Sequence, residues 1–148
     1  MLRNDSAYAE KAARIVDLTS DLSEILPQYE DELTTMARRR AVHTVAFNPP
    51  CTLQHGQQIH GHVENLLTAL GIGIFPDDNH LCCGSAGTYP VLQPKLSYTL
   101  CDQKLDTLEK LEPRMIVSAN VGCIAHLQSG TSTPVVHWIQ LVKHLLYG

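Results

Sequence analysis

Four short runs of apolar and β-branched residues alternate with helical segments along this chain of 148 residues. The runs lie at 42–47, 72–75, 115–117 and 135–136, and turn-forming residues follow the first two. Strands that alternate with helices are typical of β-α-β crossovers, which build a parallel sheet with helices against its faces. We therefore predict an α/β fold, a single domain with a small, mostly parallel sheet flanked by helices.

Apolar residues at spacings of three and four predict the helices that cover this sheet. The first set comprises Ile59, Val63, Leu66, Leu67 and Leu70; the second comprises Leu96, Leu100, Leu108 and Leu111 and ends before Pro113; the last comprises Trp138, Leu141, Val142, Leu145 and Leu146. The segment 122–130 is predicted to be a loop with one helical turn.

The N-terminal part is predicted to be helical as well. Residues 5–26 have the spacing of one amphipathic helix ended by Pro27, whose apolar face, at positions 8, 12, 15, 18, 22 and 25, is expected to dock against the rest of the domain. A second short helix is predicted within 28–40, and the arginines at 38–40 are interpreted as its solvated end. The domain prediction is therefore one unit, 1–148, with leading helices at 5–40 and an α/β core at 41–148.

Charge and hydropathy exclude several classes of function. The net charge is -4 and the basic residues form no continuous stripe, so nucleic acid is not an expected partner. No run approaches the roughly 18 apolar residues of a membrane span, and the first residues lack the apolar region of a signal peptide. We expect a cytoplasmic protein, either free or held at the inner membrane by its partners.

Five cysteines in such a chain argue against a disulfide framework, because the cytosol keeps thiols reduced and the number is odd. Cys51 follows the first predicted strand, Cys82 and Cys83 follow the second, and Cys123 follows the third. The carboxyl ends of parallel strands lie along one edge of a sheet, where open α/β folds bind ligands. These four thiols are therefore predicted to form one metal site, with His126 within reach of it.

Cys82 and Cys83 are adjacent in the sequence. This favours an iron-sulfur cluster over zinc, since structural zinc sites commonly use cysteine pairs separated by two to four residues. The small residues Gly84–Gly87 are expected to let backbone amides approach a cluster. A helix after Cys83 is expected to lower the pKa of the thiols toward thiolate, the form that binds metal.

Three other interpretations stay open. Cys101 has the pattern of a buried packing residue of the second helix. One cysteine could act as a nucleophile with His80 or His126 as its base, although this leaves three thiols without a role. The domain could also be structural, holding zinc or no metal, and dock redox subunits.

Three segments resemble the cysteine-rich "CCG" domain family: they read NPPCT from residue 48, LCCGSAGT from residue 81 and ANVGC from residue 119. Thirty residues separate Cys51 from Cys82, as in that family. The family continues with a Cys-x-x-Cys pair, whereas here His126 takes the place of the last cysteine.

The sequence around these cysteines is similar to the glycolate oxidase iron-sulfur branch of the family, which also includes components of heterodisulfide reductase, of lactate utilisation and of glycerol-3-phosphate dehydrogenase. The resemblance implies a [4Fe-4S] type cluster, ordinary or noncubane, that carries electrons from a flavin-containing subunit toward a quinone. It also implies that the chain is not catalytic alone. Proteins of that branch are longer and begin with ferredoxin-type motifs, so the chain resembles their C-terminal part.

Overall fold

The computed structural model describes residues 2–37, 44–75, 77 and 81–148. The elements in these ranges are α1 (Ala9–Leu18), α2 (Leu22–Ile25), α3 (Glu30–Met36), β1 (Thr44–Asn48), α4 (His62–Ala69), β2 (Gly73–Phe75), α5 (Tyr89–Leu92), α6 (Pro94–Leu108), β3 (Met115–Ser118), α7 (Val121–Gln128), β4 (Val135–His137) and α8 (Trp138–Tyr147). A π-helical turn, Thr52–Gly56, follows β1. The predicted α/β class is confirmed. The arginines at 38–40 and the start of the first predicted strand, at 42–43, lie outside the described residues.

The four strands form one sheet in the order β2-β1-β3-β4, and every pair is parallel. The chain leaves β1 toward β2 on one side, while β3 lies on the other side of β1. The sheet therefore has a topological switch point between β1 and β3, and the crevice outside the carboxyl ends of two such strands is the usual ligand site of open α/β sheets.

Alternate residues of the central strands build two apolar layers. On β1, Val45 and Phe47 pack with α4 and α8, whereas Ala46 packs on the opposite face with α6 and α7. On β3, Val117 packs in the layer with α4 and α8, and Ile116 packs in the layer with α6 and α7. All of these side chains are at most 2% exposed. The period-two pattern of the strands thus gives a sheet covered by helices on both faces.

The prediction of one docked helix over residues 5–26 is wrong. The first helix ends at Leu18, and Asp21 starts a new one: its carboxylate accepts from Ser23 N at 2.9 Å, and Glu24 bonds back to Asp21 N at 2.8 Å. This reciprocal cap satisfies the free amides of a helix start, which favours two short helices. No residue of α1 is buried, and four positions of the predicted face, Tyr8, Ile15, Leu18 and Leu22, are exposed, whereas Ala12 and Ile25 are partly buried. The division into 5–40 and 41–148 stays a prediction.

The predicted apolar face of α6 is right for Leu108, which is buried, and for Leu100, which is partly buried, but wrong for the other two leucines. Leu96 and Leu111 are exposed, and Leu111 lies beyond the end of the helix. The residues that α6 buries are Ser97, Cys101, Lys104, Leu105 and Leu108. Their spacing is helical, but two of them are polar and are buried because they have partners. By contrast, the predicted apolar faces of α4 and α8 are confirmed, with their residues buried or packed against the core.

In the described part of the chain, no helix is long and apolar enough to cross a membrane.

Candidate metal centre

The four predicted cysteines lie at the carboxyl edge of the sheet, on three different segments. Cys51 begins the π-helical turn after β1, Cys82 and Cys83 lie in the segment between β2 and α5, and Cys123 lies after β3. The prediction that 122–130 is mainly loop is wrong, because Cys123 is in the first turn of α7. Asn120 caps this helix, accepting from Gly122 N at 2.9 Å and Cys123 N at 3.2 Å.

Two of these thiols are close enough to interact with one another. The Cys83 and Cys123 sulfurs are 3.0 Å apart and hydrogen-bonded. Ser85 Oγ lies 3.1 Å from the Cys83 sulfur and 3.7 Å from the Cys123 sulfur. The structure places the four cysteines at one edge of the sheet and brings Cys83 and Cys123 into contact; that all four form one metal site stays a prediction.

The donor set fits a thiophilic metal, but the thiols must separate slightly to bind one. Zn–S bonds of about 2.3 Å in a tetrahedron place ligand sulfurs about 3.8 Å apart, compared with 3.0 Å between Cys83 and Cys123. Within the described residues, no three cysteine, histidine or carboxylate groups stand in the geometry of a preformed metal site.

The contact between Cys83 and Cys123 shifts the pKa values of the two thiols in opposite directions. The hydrogen bond with Cys123 is the main cause that lowers the pKa of Cys83 to about 5, with a further contribution from Ser85. The same bond raises the pKa of Cys123 above its ordinary value. The predicted helix after Cys83 begins at Tyr89, six residues further on, and its effect on the pKa of the thiols stays a prediction. Partial desolvation of the thiol, followed by the charge of Cys82, raises the pKa of Cys51.

A buried hydroxyl fixes the segment that carries the cysteine pair. Ser97 of α6 is 0% exposed, and its Oγ donates to the Gly84 carbonyl at 2.7 Å. Gly84 has φ +87°, and a Cβ there would lie 2.4 Å from the Ser97 carbonyl oxygen. The glycine is therefore needed because α6 approaches the backbone closely, a reason that differs from the predicted one, access of backbone amides to a cluster.

His126 belongs to the same network. Its Nε2 lies 3.0 Å from Ser97 Oγ and 3.3 Å from Ser97 O. Because the serine hydrogen already goes to Gly84 O, and a carbonyl can only accept, Nε2 must carry the imidazole hydrogen and donate. That nitrogen is directed to Ser97 and has no lone pair for a metal. Its role as a ligand through the other ring nitrogen stays a prediction. His80, the alternative base, lies outside the described residues.

Cys101 packs beneath the site, in the apolar layer that also contains Cys83 and Cys123. It is 0% exposed and its sulfur lies 3.5 Å from the His126 carbonyl oxygen. Burial raises the pKa of Cys101 to about 11, so it stays a thiol at neutral pH. These features match the predicted packing role.

Two polar contacts around the site have no counterpart among the sequence predictions. Asn48 and Ser118 are paired at the carboxyl ends of β1 and β3: Asn48 Nδ2 donates to Ser118 Oγ at 3.1 Å, and Ser118 Oγ donates to Asn48 O at 2.8 Å. Lys104 of α6 forms a buried ion pair with Asp77, in the segment that leads to Cys82. Each joins residues far apart in sequence, so no local pattern signals it.

A comparison with known families agrees with this geometry. The model of the cysteine-rich domain (CCG) family matches residues 45–128, which include all four converging cysteines. The chain belongs to this family. The match begins within β1 and ends with α7, so it covers the strands and segments that build the edge described above.

Curated relatives of this cysteine-rich domain include two kinds of protein. The chain is 46% identical over 147 residues to the glycolate oxidase iron-sulfur subunit of Escherichia coli. This alignment covers 99% of the chain and 35% of that protein. The chain is 24% identical over 157 residues to lactate utilization protein A of Anoxybacillus flavithermus, covering 97% of this chain and 63% of that protein. The chain therefore spans about a third of the length of the E. coli relative.

Proposed function

We propose that this cysteine-rich domain is an electron-transfer component of a glycolate oxidase (glycolate dehydrogenase) type complex. The observation that supports the proposal is the position of four cysteines, from three segments, at the carboxyl edge of the sheet, with the Cys83 and Cys123 sulfurs in contact. In this proposal Cys51, Cys82, Cys83 and Cys123 hold a [4Fe-4S] type cluster, ordinary or noncubane. The name of the E. coli relative, an iron-sulfur subunit, supports this cofactor.

When bound, an iron-sulfur cluster supplies one-electron chemistry. The domain's own residues would ligate it, hold its ligands in place and donate hydrogen bonds to sulfur. Gly84 N already donates to the Cys82 sulfur at 3.4 Å, and Ser85 Oγ lies beside two other thiols. Hydrogen bonds of this kind tune a cluster's reduction potential. His126, which donates to Ser97, is proposed to act by positioning the Gly84 backbone.

Electrons are proposed to arrive from a flavin-containing subunit and to leave toward a quinone, with the complex in the cytoplasm or peripheral at the inner membrane. The cysteine-rich domain alone is not expected to oxidise glycolate. Removal of a hydride needs a cofactor such as a flavin, and the chain lacks the Gly-x-Gly-x-x-Gly pattern of a dinucleotide site.

The test is metal analysis of the domain purified without oxygen. We expect iron and acid-labile sulfide in stoichiometric and equal amounts. Zinc at one equivalent without sulfide, or no metal at all, would overturn the electron-transfer role and favour a structural domain.

A further inference from the structure

Charged side chains are nearly absent from the segments that carry the cysteines. The chain has eleven Lys and Arg and fifteen Asp and Glu residues. In the segments 44–63, 81–101 and 115–142 Lys95 is the only residue of these four types. These segments contain Cys51, the cysteine pair and Cys123; Asp77, which is buried in the ion pair with Lys104, and Asp78 precede the cysteine pair in sequence.

The same edge exposes large apolar side chains. Val91 and Leu92 of α5 are 80% and 70% exposed, and Val121, two residues before Cys123, is 79% exposed. Leu96, in the first turn of α6, is 50% exposed. After the cysteine pair the chain forms α5, which begins six residues beyond Cys83, and then α6; α7 begins three residues after the end of β3. These four residues, here called the apolar rim, therefore lie at the carboxyl edge of the sheet.

The N-terminal helix α1 offers a comparison within the molecule. It too exposes apolar residues, among them Ile15 and Leu18, but Lys11, Arg14 and Asp17 lie between and around them. Scattered apolar side chains among charges are normal on a solvated surface. The apolar rim differs because charge is missing as well, and depletion of charged residues is the compositional mark of a protein interface core.

We infer that the apolar rim is the surface on which the redox partner of this domain docks, and that the partner's contacting surface is apolar and uncharged. The inference rests on the proposed function, because a protein that exchanges electrons with the cysteine site must approach that edge. A partner with a charged contact surface would bury its charges without counter-charges here, which is costly. The partner we commit to is the flavin-containing subunit.

Such an interface has a measurable signature in its salt dependence. Charged interfaces associate faster and more tightly at low ionic strength, because screening weakens their attraction as salt increases. The four residues of the apolar rim carry no charge, and exposed Lys95, beside Leu96, is the one charged residue of the segments 44–63, 81–101 and 115–142. The Kd between the domain and the flavin-containing subunit is therefore expected to change by less than about threefold between roughly 50 and 500 mM salt.

The variants Val91→Asp and Val121→Asp test the surface directly. Both variants should fold, because Val91 and Val121 are largely exposed; in addition, aspartate at position 121 lies in the first turn of α7, where a negative charge is favourable. Leu111→Asp is the matched control, since Leu111 is 57% exposed in the turn before β3, at the opposite edge of the sheet. Binding of the flavin-containing subunit to each iron-loaded domain is measured by calorimetry or interferometry at two salt concentrations.

We expect both rim variants to bind at least about tenfold more weakly, with iron and sulfide retained, and Leu111→Asp to bind like the wild type. If a variant loses iron, its affinity for the flavin-containing subunit is compared with the affinity of the metal-free wild type instead. Wild-type affinity in both rim variants, a steep salt dependence, or no binding of the flavin-containing subunit would overturn the inference. Absence of iron and sulfide from the wild type would refute the proposed function instead.

Discussion

The sharpest consequence of the site geometry concerns Gly84. A methyl group added at this position would lie 2.4 Å from the Ser97 carbonyl oxygen and 3.3 Å from His126 Nε2. The distance to the Ser97 oxygen is shorter than real Cβ contacts, and that oxygen belongs to the backbone of α6. Gly84→Ala must therefore displace either α6 or the segment that carries the cysteine pair. It also places a side chain at φ +87°.

The free-energy cost has two parts. Alanine in a left-handed conformation costs roughly 1–2 kcal/mol. Forcing a methyl group into a packed position adds about 1–3 kcal/mol. Gly71→Ala separates these parts, because Gly71 has nearly the same φ, +84°, and nothing within 4 Å of its added Cβ. The gain from a less flexible unfolded chain is the same for both variants and cancels in the comparison.

Urea unfolding of the metal-free variants measures the difference. We expect the free energy of unfolding of Gly84→Ala to be about 1–3 kcal/mol below that of Gly71→Ala. After reconstitution, Gly71→Ala should retain iron like the wild type, whereas Gly84→Ala should retain less because its cysteine pair is displaced. Equal unfolding free energies together with equal iron contents would refute the contact between Gly84 and α6.

Three further substitutions test other contacts. Ser97→Ala leaves Gly84 O without its donor and should lower the free energy of unfolding in urea by about 1–3 kcal/mol; no change would contradict the network. His126→Ala should leave metal bound, as measured by chelator competition, with affinity reduced about 10- to 100-fold, whereas complete loss would identify a ligand. The pKa of the Cys101 thiol is about 11 in the folded protein and 9.0 in the unfolded chain. Its contribution to the free energy of unfolding is therefore fully present below pH 9 and is lost as the pH rises from 9 to about 11. Unfolding at increasing pH should therefore show a steeper loss of stability in the wild type than in Cys101→Ala, and identical slopes would contradict this.

The sequence predicts the sheet well because its signals are local. Short β-branched runs separated by helical spacing specify a parallel sheet, and a parallel sheet places every residue that follows a strand at the same edge. The convergence of Cys51 with Cys82, Cys83 and Cys123 follows from these two facts without any knowledge of side-chain contacts.

The errors arise where a local signal competes with periodicity or where partners are distant. Asp21 and Glu24 have the spacing of a capping box, which divides the N-terminal helix despite its continuous apolar pattern. On α6, leucine spacing predicts a face through Leu96, but the buried face contains Ser97 and Lys104. Their burial depends on partners from other segments, which no periodicity reveals.

Metal content across cysteine variants tests the central claim most directly. Iron and zinc per chain are measured for Cys82→Ser, Cys83→Ser and Cys123→Ser, with Cys101→Ser as the matched control from the same apolar layer. Because an alcohol is a poor substitute for a soft thiolate, each of the first three variants should lose bound metal. Cys101→Ser should retain it and lose only stability, roughly 1 kcal/mol. Equal metal retention in Cys83→Ser and Cys101→Ser would contradict the assignment of the four converging cysteines as one metal centre.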